Sequence, residues 1–183
     1  MRFWSSPLSR RCSAEMEPIL KALSAAVGTA LGQQKLMLAC AESCTGGLVS
    51  EIITATPGSS AWFERGFVTY SNAAKQEMLG VRQEILADSG AVSEETARAM
   101  AQGALAHSHA QIALAITGIA GPGGSSSGKP VGTVCFAWCG VGATPASETR
   151  HFSGTRETIR KQAAVHAVKG LLALLEATAK IVP

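Results

Sequence analysis

The chain predicts a single three-layer α/β/α domain with a mixed, partly parallel sheet. Short apolar runs of strand length alternate with amphipathic helical segments through the first two thirds of the 183 residues. Two of those runs hand over to glycine-bearing turns, "AESCTGG" (41–47) and "TGIAGPGG" (117–124), as strands do at the rim of an α/β sheet. Late in the chain the alternation gives way to a hairpin-like pair of strands and a last helix, which makes the sheet mixed. With 46% hydrophobic and 16% charged residues there is material for one well-buried core and little room for a second.

Residues 1–15, beginning "MRFWSSPLSRRC", are rich in Arg and Ser and lack the continuous apolar segment of a secretory signal; they read as a disordered extension ahead of a domain at 16–183. Ile19, Leu20, Leu23, Val27, Ala30 and Leu31 recur at helical spacing, so a helix runs from Pro18 to Leu31. "KLMLAC" (35–40) is a short strand. Beyond Gly46-Gly47, Leu48, Val49, Ile52 and Ile53 share one helical face, and Pro57-Gly58 stops that helix. "GFVTYS" (66–71) is β-branched and aromatic, a strand closed by Tyr70, and Ser71-Asn72 caps a helix over 72–79 that ends at Gly80. Ser93, followed by Glu94 and Glu95, opens a helix that continues through Gly103. "QIALAITG" (111–118) is a strand buried on both faces. A Gly/Pro/Ser loop over 118–130 leads to "VGTVCFAWCGV" (131–141) and "SETRHFS" (147–153), two further strands. The last helix starts near Thr155 and carries Ile159, Ala163, Val165, Ala167, Leu171, Leu172 and Leu175.

Charge and composition exclude several classes. A net charge of +3, with Lys and Arg scattered, is no nucleic-acid footprint. No apolar run is long enough to cross a bilayer, so no membrane partner and a cytoplasmic location are expected. Five cysteines, an odd number, argue for a reducing compartment. The Cys40/Cys44 and Cys135/Cys139 pairs fall in apolar, strand-like contexts, so they read as core residues and no metal is expected. Gly123–Lys129, "GGSSSGK", has the outline of a phosphate-binding P-loop, but Pro130 stands where Ser or Thr should hold magnesium, and a strand follows where a helix should. Lys129 remains free to approach a ligand anion.

Ligands in open α/β sheets collect outside the carboxyl ends of the strands, which puts the two glycine-bearing turns at one shared pocket. A serine there needs a base within hydrogen-bond reach. The four histidines form no readable triad. A lysine serves instead where burial depresses its pKa, and Lys75, one turn into the helix after Tyr70, can reach over the same rim, although the ordinary reading of that spacing is an exposed helical lysine.

Together, "AESCTGG", "GSSAWFERGFVTYSNAAK", "GAVSEETA" and "TGIAGPGG…KPVGTV" resemble the C-terminal domain of the CinA competence/damage-inducible family in its stand-alone form, from about Met16 to the end. The resemblance implies an amidohydrolase that converts nicotinamide mononucleotide, its small-molecule partner, to nicotinate mononucleotide and ammonia without a cofactor. It implies Ser43 as nucleophile, Lys75 as base and Tyr70 as an assisting residue, with Cys44 the rival nucleophile. On this reading the N–H groups around Cys44, Thr45 and Gly46 hold the oxyanion, and Thr117, Gly118 and Gly121 offer donors to the substrate phosphate. Arg156 in "SGTRETIR" is either the charged phosphate partner or a solvated residue of the last helix. Glu42 either meets a cation or ribose hydroxyl or is an ordinary strand-end carboxylate. A non-catalytic nucleotide-binding module suits the glycine-rich loops equally; binding without ammonia release would select it. The apolar stretch Leu171–Leu175 permits a homodimer, and internal burial explains it as well.

Overall fold

The computed structural model describes residues 7–126 and 128–179. Helix α1 (Pro7–Gln34) leads into β1 (Leu38–Glu42), α2 (Leu48–Thr54), β2 (Phe63–Val68), α3 (Asn72–Leu79), α4 (Gln83–Asp88), α5 (Glu94–Ala106), β3 (Ile112–Gly118), β4 (Thr133–Gly140), β5 (Ala146–His151) and α6 (Arg156–Ala179). Strand order is β2-β1-β3-β4-β5. β1 runs parallel to both β2 and β3, while β4 is antiparallel to β3 and β5. The mixed three-layer arrangement is the one the alternation predicts.

The two sheet faces divide by residue size. Leu38, Cys40, Ile112, Leu114, Ile116, Val134, Phe136 and Trp138 point toward α1, α2 and α6. Ala39, Ala41, Ala113, Ala115 and Ala137 face α5, whose Ala97, Met100, Ala101 and Ala104 lie against them. Small side chains on both sides let α5 sit close, and Gly103 continues the pattern: a Cβ there would stand 2.1 Å from the Leu79 carbonyl oxygen on α3. The mid-helix glycine is a helix-packing residue. Leu171 and Leu175 are fully buried in the chain's own core, so this part of the apolar stretch is occupied by α1 and the sheet.

Four local expectations shift. α1 begins at Pro7, a residue suited to a first helical position, and Pro18 lies inside it; residues 1–6 of the 1–15 stretch lie outside the described residues. β1 runs on to Glu42 where the apolar pattern ended at Cys40, because the carboxylate finds buried donors beyond the strand. β2 is displaced toward the N-terminus and ends at Val68, so Tyr70 stands past the strand; Thr69 N–H makes the last contact, with the Glu42 carbonyl (2.8 Å). Helix α4, read from no pattern, is six residues long, too short to show a period. Helices α3 and α5 are capped as expected: Ser71 Oγ accepts from Ala74 N–H (3.0 Å) and Ser93 Oγ from Thr96 N–H (3.1 Å). Among the described residues no helix is long and apolar enough to cross a membrane.

Candidate active site

Parallel β1 and β2 end side by side, and the turn after β1 and the helix after β2 therefore meet. Ser43 follows the last residue of β1, fixed by its N–H to the Ile116 carbonyl of β3 (2.9 Å). Lys75, on the first turn of α3, reaches back under the sheet rim. Its Nζ donates to Ser43 Oγ at 3.1 Å and to the Thr69 carbonyl at 2.8 Å. Lys75 is 1% exposed and Ser43 8%. Burial holds the Lys75 amine below its usual range, with no carboxylate among the described residues bonded to it to restore the charge. A hydroxyl thus lies in hydrogen-bond contact with an amine that burial biases toward its neutral, proton-accepting form.

Glu42 departs from a ligand-binding role. It is fully buried, and both carboxylate oxygens are turned onto the start of α2. Oε2 accepts the N–H groups of Gly47 (2.9 Å) and Val49 (3.1 Å), and Oε1 accepts the Ser50 N–H and hydroxyl, both at 2.8 Å. The N-cap residue itself, Gly47, offers no side chain, so this strand-end carboxylate satisfies the orphan donors of the helix instead. It is a structural anchor for the turn.

The turn itself runs Ser43-Cys44-Thr45-Gly46, closed by the Gly46 N–H to the Ser43 carbonyl (3.0 Å). Gly46 and Gly47 are both left-handed, at φ 60 and 95. Gly46 N–H is therefore committed and drops out of the expected oxyanion donors. The Cys44 and Thr45 N–H groups donate to no other residue among those described. Burial pushes the Cys44 thiol up to about 12, so it stays protonated near neutrality, whereas Ser43 has the amine in contact.

The remaining expected residues divide. Tyr70 is largely exposed and its hydroxyl accepts from Arg156 Nη2 (2.7 Å); the Thr69 carbonyl, and no group of Tyr70, holds Lys75. Arg156, at the start of α6, also donates to the Gly121 carbonyl (2.8 Å), so it bridges the Tyr70 rim and the β3–β4 loop. Thr117 is 1% exposed and its hydroxyl donates to the Ala91 carbonyl (2.6 Å), which removes it as a phosphate donor. Gly118 belongs to the β3–β4 ladder, where a Cβ would stand 2.8 Å from the Thr133 carbonyl oxygen. Lys129 turns to the Ser89 carbonyl (2.8 Å), on the α5 side of the sheet, beside a cleft of ≈ 470 Å³. Arg160, which the motif reading passed over, lies in this turn: its Nη2 donates to the Thr45 carbonyl (2.5 Å). Its spacing of four from Arg156 places both guanidiniums on one face of α6, and that period was the available signal.

A three-layer α/β domain that sets a serine hydroxyl against a buried lysine amine at a strand end presents a candidate serine/lysine-type site on an open sheet. The profile of the CinA C-terminal domain family matches residues 20–175, and the chain belongs to that family. The nicotinamide-nucleotide amidohydrolase PncC of Pseudomonas putida is 50% identical over 159 residues, which are 87% of this chain and 98% of that protein. The protein of the same name from Escherichia coli K12 is 51% identical over 152 residues, 83% of this chain and 92% of its own length. Among solved structures, the competence/damage inducible protein CihA from Agrobacterium tumefaciens superposes with a TM-score of 0.82 at 44% identity, covering 85% of this chain and 95% of that one.

Proposed function

We propose that the chain is a nicotinamide-nucleotide amidohydrolase that works through a serine/lysine acyl-enzyme. The 3.1 Å contact between Lys75 Nζ and Ser43 Oγ inside a buried site is the observation that carries the mechanism. The near full-length relatives named for the activity support the substrate, nicotinamide mononucleotide.

In this reading neutral Lys75 takes the Ser43 proton as Oγ attacks the carboxamide carbon. The Cys44 and Thr45 N–H groups receive the oxyanion, each contributing roughly 3 kcal/mol. The lysine then returns the proton to the departing ammonia, leaving a nicotinoyl ester on Ser43. Water attacks that ester, giving the free carboxylate and restoring the serine. Arg156 and the Tyr70 hydroxyl form the rim beside the reacting centre, where a guanidinium suits the nucleotide's phosphate. No step calls for a metal or organic cofactor.

Ammonia release from nicotinamide mononucleotide by the Ser43→Ala protein tests the reading. A fall of at least about a thousandfold in kcat is expected, from the behaviour of other serine nucleophiles. Wild-type turnover by Ser43→Ala would remove the nucleophile.

A further inference from the structure

Arg160 has no carboxylate partner among the described residues, and it is half-buried. Its neighbours Ile159, Ala163 and Ala164 are buried in the layer between α6 and the sheet. Its Nη2 donates to the Thr45 carbonyl, while its Nε is buried without a hydrogen-bond partner. A Cβ on Gly46 would come 3.7 Å from the same guanidinium, so the group lies against the turn.

We infer that Arg160 is a positioning residue that locks the Thr45–Gly46 peptide and so holds the Cys44 and Thr45 N–H groups toward the reacting carbonyl. A trans peptide carries its C=O and N–H on opposite edges. Here the carbonyl edge is held by Arg160 at 2.5 Å and by the longer Leu48 N–H contact at 3.3 Å, and the N–H edge by the Ser43 carbonyl at 3.0 Å. Left-handed Gly46 and Gly47 follow directly, and glycine makes rotation of the adjoining peptide inexpensive. Rotation would bring the Thr45 carbonyl against the Ser43 carbonyl and open the turn. The Ser43 N–H bond to β3 fixes the backbone on the N-terminal side and the Glu42 carboxylate fixes the Gly47 N–H on the C-terminal side, which leaves the Thr45–Gly46 unit between them as the freedom of the turn. A charged, planar donor removes it more firmly than a neutral one.

The inference rests on the serine/lysine reading for its catalytic consequence, and one structural readout is independent of it. In the full chain, Arg160→Met should lower kcat for ammonia release from nicotinamide mononucleotide roughly 10–100-fold, in the range below loss of a whole oxyanion donor, with KM within about twofold. Arg160→Lys should recover part of the loss, since one donor returns. Amide exchange at Gly46 should accelerate in Arg160→Met relative to wild type, while exchange in β1 stays slow and shows the protein folded. An unchanged Gly46 amide, an unchanged kcat, or a rise in KM at constant kcat would each overturn the clamp; the last would make Arg160 a ligand-binding residue. If Ser43→Ala kept its activity while Gly46 exchange rose in Arg160→Met, the nucleophile would fall and the clamp would stand.

Discussion

Two glycine-bearing turns leave the same rim of the sheet, and they are built on opposite terms. The turn after β1 is enclosed: Glu42, Ser43, Cys44 and Thr45 are all buried, and the carboxylate of Glu42 and the guanidinium of Arg160 hold its backbone from either side. The β3–β4 loop is held at its root, where Ile119 N–H meets the Thr133 carbonyl and Gly132 N–H the Ile119 carbonyl, both at 2.8 Å. Arg156 ties Gly121 and Lys129 ties Ser89; between those tethers Pro122 to Ser126 are exposed. Glycine permits left-handed backbone in both turns, at Gly46 and Gly47 in the first and at Gly121, Gly124 and Gly128 in the second, but the first places it beside the Ser43 hydroxyl and the second largely at a surface. Chemistry that depends on fixed donors belongs on the first.

The largest effect expected from this division is at Lys75, the amine the enclosed turn was built against. Lys75→Met should lower kcat about 10²–10⁴-fold, about 3–5 kcal/mol of barrier, with little change in KM. The wild-type pH profile carries the same signature. In the proposed mechanism the neutral amine is the active form, and burial lowers its pKa, so kcat should rise with pH and level off below the ordinary lysine value of 10.5, and the variant should lack that limb. Stability has the same sign. Between the lowered folded pKa and the ordinary value the unfolded chain binds more protons than the folded one, so unfolding free energy should climb with pH across that window. A flat kcat profile across it would break the assignment of the base.

Glu42 ranks next. Glu42→Gln puts an NH₂ donor among four groups that are themselves donors: the N–H of Gly47, Val49 and Ser50 and the Ser50 hydroxyl. A loss of about 2 kcal/mol is expected, a drop in Tm of roughly 4–8 °C for a chain of this size, read by thermal unfolding. An unchanged Tm would mean that the turn is held elsewhere.

Sequence made the layer order and the helix caps legible, because periodicity and capping are local facts, while the pairing of Ser43 with Lys75 came from the family resemblance, since spacing alone reads Lys75 as an ordinary helical lysine. Glu42 was legible only as a carboxylate at a strand end. That it caps α2 depends on Gly47 leaving the N-cap without a side chain and on the strand running two residues past its apolar part. Thr117 looked like a ligand donor by its place in "TGIAGPGG", yet its hydroxyl is spent on Ala91, far off in sequence and brought close by the α5 packing. Arg160 and the Thr69 carbonyl were missed for a related reason: one acts through a tertiary contact with a backbone carbonyl, and the other is a main-chain group that any residue type supplies.

The smallest effects separate the two turns most cleanly. Gly46 is left-handed with φ 60, and a Cβ there meets nothing closer than 3.7 Å, so Gly46→Ala is penalised by backbone strain alone, about 1–2 kcal/mol. Gly123 has no atom within 4 Å of a built Cβ and is absent from the left-handed positions, so Gly123→Ala should change stability by less than about 0.5 kcal/mol. Thermal unfolding and kcat, measured side by side, should show a Tm lower by a few degrees and a reduced turnover for Gly46→Ala and neither for Gly123→Ala. Equal losses of turnover in both variants would mean that the exposed loop reaches the reacting centre as closely as the buried turn does, and the division between a rigid catalytic turn and a tethered surface loop would no longer hold.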